Sequence, residues 1–140
     1  MEVVINWWGV IIATVSTMVV GSIWYTPRVF GNTWMTLIGK KPKDLQKGGA
    51  LRPILITLVV SFITAYVLAH VSFLSHDFFK NSWFQDAIAT AFWTWLGFTA
   101  ARFITHDVFE HRPWQLTLMN IGHELVTFLV MGAIIGWLHP

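Results

Sequence analysis

The sequence predicts an all-α integral membrane protein, a four-helix bundle with a short amphipathic interfacial helix in its first cytoplasmic loop. Three observations carry that expectation. Of 140 residues, 55% are hydrophobic and 11% charged, where a soluble domain has about a quarter charged. The apolar residues stand in long unbroken runs, not at a period of two or 3.6. Each run approaches the roughly 20 residues that cross a hydrocarbon core. Barrel strands would be nearer ten residues each and would alternate in polarity, which none of these runs does.

Taken in order, the first helix is expected at about 3–25, a stretch free of formal charge. The segment before it lacks the basic stretch and short apolar run of a cleaved signal peptide, so the first helix is expected in the mature protein. The second is expected at 54–74. The third, at 83–105, is framed by charge at Asp86 and Arg102, and the fourth, at 114–138, contains one acid, Glu124. All four are expected to form a single transmembrane domain spanning 1–140. Between the first two lies a basic loop, about 26–53. Within it Phe30, Trp34, Leu37 and Ile38 repeat at helical spacing, with Asn32, Thr33 and Thr36 on other faces, and Gly39 is placed to end the helix.

Positive connections stay cytoplasmic. Arg28, Lys40, Lys41, Lys43, Lys47, Arg52, Arg102 and Arg112 fall on one side and only Lys80 on the other. Both termini are therefore expected outside the cytoplasm, in a bacterial inner membrane. Lys40, Lys41, Lys43 and Lys47 suit an anionic leaflet at about 1 kcal/mol per basic residue; equally, they are a solvated loop that sets topology. The expected partner is the bilayer, and no nucleic-acid signature is present. With no cysteine, disulfides, thiolate metal sites and thiol nucleophiles are excluded.

Helices associate in lipid where small residues let backbones touch. Such residues recur every fourth position: Gly9, Ala13, Thr17 and Gly21; Thr57, Ser61, Ala65 and Ala69; Gly97 and Ala101; Gly132 and Gly136. The last pair is expected to be spare for a second copy, giving a homo-oligomer.

The first hairpin reads Gly21-Ser-Ile-Trp-Tyr-Thr-Pro27, then Phe30-Gly31-Asn-Thr-Trp34-Met35 and Gly39. The second ends Phe109-Glu110-His-Arg112-Pro113-Trp114, followed by Asn120-Ile-Gly122 and Met131-Gly132. Nearly end to end, this pattern resembles the uncharacterised membrane family of bacteria and fungi catalogued as domain of unknown function 1761. The resemblance implies a small four-helix membrane protein and assigns no activity.

For function, Glu124 is the leading candidate. Ten residues beyond Trp114 is about 15 Å of helix, near the bilayer centre, where a carboxylate is costly and often marks an ion or proton path. His123, Asn120, Arg102, Thr94, Tyr66 and Thr17 are expected near it as a midplane polar site, with Arg102 pairing Glu124; the alternative is a buried structural hydrogen bond. His106, Asp107, Glu110 and His111 are four metal-capable side chains without a metalloenzyme spacing, so helix-end polar groups are expected and no metal. Trp93 and Trp95 either wall a cavity or fill the packing. The expectation is a protein of unknown role that handles a small solute or protons through the midplane site, its ligand unknown. The alternative is a non-transporting accessory or scaffold protein acting through helix and lipid contacts, recognisable by midplane polar residues that face one another without a cavity. A membrane enzyme ranks third, since no nucleophile and base pair is visible, and no cofactor is expected.

Overall fold

The computed structural model describes residues 2–47 and 49–140, with 45–47 described as backbone alone. Every regular element among the described residues is helical. Helix α1 (Trp7–Trp24) starts where the Asn6 carboxamide accepts from the Trp8 and Gly9 amides at 3.0 and 3.3 Å, filling two donors that a helix start leaves open. Helices α2 (Gly31–Leu37) and α3 (Pro42–Lys47) occupy the first loop. Gly39, at φ +67°, ends α2 as expected, its amide and that of Lys40 returning to the Thr36 and Met35 carbonyls. Helix α4 (Leu51–Phe79) extends beyond the expected 54–74 at both ends.

The uniform third helix expected at 83–105 is not found. Helix α5 (Trp83–Thr94) begins at a Ser82–Gln85 capping box, widens into a π-helical segment (Trp95–Ala100), and continues as α6 (Ala101–Phe109). The widening starts at Trp95, whose indole N–H reaches across to the Ile121 carbonyl at 2.9 Å. Helix α6 ends on His111 at φ 55°, with the His111 and Arg112 amides bonded to the Val108 and Asp107 carbonyls, and Pro113 leads into α7 (Trp114–Trp137). Helices α1, α4 and α7 are long and apolar enough to cross a membrane, by length and composition.

Helix α1 runs against α4 and α7, and α5 packs on the same two helices. Gly9 lies beside Leu138, so both termini sit at one end, while Trp24 lies on Gly122 at the other, the end that bears the first loop. The core joins Val10 and Ala13 of α1, Ala65, Leu68 and Ala69 of α4, Ala91 of α5, and Phe128, Met131 and Ile135 of α7. Two buried aspartates clasp the tight hairpins. Asp86 meets His76 across the α4–α5 turn at 3.1 Å, and Asp107 accepts from Thr117 across the α6–α7 turn at 2.7 Å.

The small residues serve this packing unequally. A Cβ on Gly132 would lie 2.8 Å from the Ala91 Cβ, and one on Gly136 would lie 2.8 Å from the Phe84 Cα. Both glycines are therefore consumed by the α5–α7 contact, which corrects the expectation that they are spare for a second copy. Gly97 has nothing within 4 Å and Ala101 is exposed, so the third row packs against nothing.

Candidate functional site

At the loop end, the chain leaving α1 turns sharply at Thr26, whose carbonyl accepts from the Val29 and Gly31 amides at 3.0 and 2.8 Å. Gly31 is required there, because a Cβ would collide with the Tyr25 carbonyl and with Thr26. The turn brings Phe30 onto Trp24, ring centroids 4.6 Å apart, and Trp34 edge-on to Tyr25 at 5.3 Å. Helix α2 thus folds its apolar face against α1 and α7.

Beneath this aromatic cover lies His123. Its ring stands 5.1 Å from Tyr25 and 6.0 Å from Trp24, and its Nε2 is 3.6 Å from where a Gly21 Cβ would be. On its other side, Nδ1 lies 3.3 Å from Oε1 of Glu124. Adjacent helical residues diverge by about 100°, so the contact depends on the two side chains turning toward each other. A proton on Nδ1 facing the carboxylate leaves Nε2 as an acceptor. Among the described residues neither that atom nor the Trp24 indole N–H, both buried, has a partner. The Tyr25 hydroxyl reaches Asn120 Oδ1 at 3.4 Å, a long contact.

Glu124 lies near the middle of α7 but beside the end of α1. Its neighbour His123 packs on Gly21, Trp24 and Tyr25, the last turn of α1. Helix α7 begins beyond the end of α1: the Tyr25 hydroxyl reaches Asn120, six residues or about 9 Å into α7. Arg102 makes no ion pair with Glu124; among the described residues its guanidinium pairs with no carboxylate.

The remaining expected site residues are dispersed. Thr17 donates to Ser61 at 3.0 Å, and Thr94 donates to the Thr90 carbonyl of its own helix at 2.6 Å. Tyr66 stacks on Trp7 at 5.5 Å and touches His70, toward the terminal end. Lys40, Lys41 and Lys43 are exposed on the first loop, whereas the Lys47 side chain lies outside the described residues. Ala13 is fully buried. Of the four metal-capable side chains, Asp107 turns to Thr117 and Glu110 to Arg112. Among the described residues, no three His, Asp or Glu gather where a metal ion could sit.

A groove of about 440 Å³ opens at the loop end between Arg102, His106 and Arg112 on one side and Asn120 on the other, with Phe98 at its inner rim. At Phe98 it meets an apolar trough of about 310 Å³ lined by Ile63, Val67 and Phe128. Trp93 lines a third groove, whereas Trp95 turns inward to Ile121. Neither Glu124 nor His123 lines any of these three. Sequence reasoning missed this groove, and it missed His76 and Asp86. The latter pair had a signal: both residues lie five positions from Asn81, and residues equidistant from the centre of a helical hairpin face each other.

The residues that resemble the uncharacterised family, Trp24, Tyr25, Phe30, Gly31, Trp34, Asn120 and Gly122, come from opposite ends of the chain and meet around His123. Neither a curated protein nor a solved structure matches this chain. The family model described as "Protein of unknown function (DUF1761)" matches residues 8–136, nearly the whole length, and the chain belongs to that family.

Proposed function

We propose that the chain is a single four-span membrane domain, the third span being the composite α5–π–α6, and that it acts as a non-transporting accessory or scaffold protein. One observation carries this reading. Several polar side chains of α1, α4 and α5 are bonded to one another or to their own backbone, whereas the buried Ser72 Oγ, Trp24 Nε1 and His123 Nε2 have no partner among the described residues. Thr17 bonds Ser61, while Thr14, Thr64 and Thr94 donate to the carbonyls of Val10, Val60 and Thr90. A polar path would instead leave such groups facing water. Meanwhile Ile11, Val15 and Val19 of α1 and Val59, Ile63 and Val67 of α4 point outward, available to lipid or to another helix. A homo-oligomer would form through those faces, since Gly132 and Gly136 are already packed. The loop charges favour both termini outside the cytoplasm.

Proteoliposomes test it. Under an imposed gradient, proton and small-cation flux is expected to equal that of protein-free vesicles. Faster flux that Glu124→Gln removes would overturn the reading in favour of a second one. That second reading, a proton or small-solute site at His123 and Glu124, has the unpartnered His123 Nε2 and Trp24 indole N–H in its support.

A further inference from the structure

We propose that one anionic phospholipid binds along the π–α6 segment, its phosphate on Arg102 in the groove bounded by Asn120 of α7 and an acyl chain passing over Phe98 into the trough lined by α4. The proposal rests on the membrane reading above. The groove holds two arginines and two carboxylates, and among the described residues Arg102 is the guanidinium there without an ion pair. The other guanidinium there, Arg112, is held by Glu110 at 2.6 Å and faces Asp107 at 3.8 Å, and Asp107 is itself turned to Thr117. A guanidinium inside an apolar helical stretch is costly unless it finds an anion or reaches the interface. A lipid phosphate provides both.

The shape of the cleft argues for a lipid and against a soluble phosphate. Helix α4 packs on α5 and diverges from the π segment and α6, which opens the seam to the surrounding membrane. The charged groove and the apolar trough share Phe98, 78% exposed, and the trough in turn shares Val71 and Thr94 with the groove of about 570 Å³ beyond it. Polarity runs in the order of a lipid in the leaflet at the loop end: charged side chains of both signs outermost, Phe98 next, then aliphatic walls toward the middle. A free phosphate would use the head of this cleft and none of its length.

The test is native mass spectrometry of the full chain in mild detergent, titrated with dioleoyl phosphatidylglycerol or dioleoyl phosphatidylcholine. One phosphatidylglycerol is expected to be retained in preference to phosphatidylcholine. Arg102→Gln should lower that retention roughly fivefold, the effect of one basic residue near an anionic lipid, and leave phosphatidylcholine unchanged. Val67→Trp, which fills the trough without touching the cations, should lower retention of both lipids, and it carries the test if the arginine variant does not fold. Equal retention of phosphatidylglycerol by wild type and either variant overturns the proposal. So does its displacement by glycerol 3-phosphate, which would mean that a soluble phosphate suffices. Release of the chain from membranes by alkaline carbonate would defeat the membrane reading itself; retention in the membrane without lipid preference would defeat the lipid site alone.

Discussion

The His76 imidazole and the Asp86 carboxylate meet 3.1 Å apart across the α4–α5 turn, the acid 3% exposed and its second oxygen held by Asn81 at 2.9 Å. Trp83 stacks on the same imidazole at 3.8 Å and on His139 at 5.3 Å, so the pair also anchors the chain's last residues. His76→Leu should leave a buried carboxylate short of one partner and cost about 1–3 kcal/mol. Thermal unfolding in detergent reads it. Asp77→Asn, which breaks only the exposed pair with Lys80, should change little; equal losses would mean that the buried clasp contributes nothing special.

Gly132→Ala should destabilise the folded chain itself. The added Cβ would come within 2.8 Å of the Ala91 Cβ and 2.9 Å of the Ala87 carbonyl, and overpacking of that kind costs about 1–3 kcal/mol. Gly97→Ala, with nothing in reach, should be neutral or slightly stabilising. Cross-linking in membranes should give the same pattern for both variants and wild type. Loss of a cross-linked dimer in Gly132→Ala, at unchanged unfolding temperature, would restore the intermolecular role.

Arg102→Gln and Glu124→Gln should have stability effects that add, to within about 0.5 kcal/mol, because the two side chains share no contact. His123→Phe and Glu124→Gln should not add, since their side chains meet at 3.3 Å. A double-mutant cycle for each pair checks this. Coupling between Arg102 and Glu124 would contradict the geometry described.

Gly31→Ala should open the first loop. The new Cβ has no room beside the Tyr25 carbonyl, so the turn must shift and lift Phe30 and Trp34 from Trp24 and Tyr25. Limited proteolysis should then cut within 26–40 faster than in wild type. An unchanged cleavage rate would mean that the turn is not held by that close approach.

Much of the helical layout was legible because unbroken apolar runs and Gly39 are local signals. The π segment was not, since it arises where Trp95 reaches a carbonyl on α7, a contact between residues distant in sequence. Small-residue spacing identified Gly132 and Gly136 as packing positions but could not say whether the facing helix belonged to the same chain. Glu124, His123 and Asn120 lie near one another at the end of α1, a placement that depends on where α1 ends relative to α7 and is not legible from either helix alone. Thr17, Thr94 and Tyr66 share with Glu124 only their polarity. Thr17 and Thr94 are hydrogen-bonded elsewhere and Tyr66 stacks on Trp7, and polarity alone does not tell which face of a helix a residue occupies.

The central claim is that the polar side chains between α1 and α4 are paired and dry, and single-cysteine accessibility in intact membranes tests it most directly. The chain contains no cysteine, so Thr17→Cys, Ser61→Cys and Lys40→Cys can each be read alone with a membrane-impermeant thiol reagent. Lys40→Cys should label rapidly from one side, while Thr17→Cys and Ser61→Cys should stay unlabelled from both. Rapid labelling of either inner position from either side would mean a water-filled path between α1 and α4, and would contradict the account.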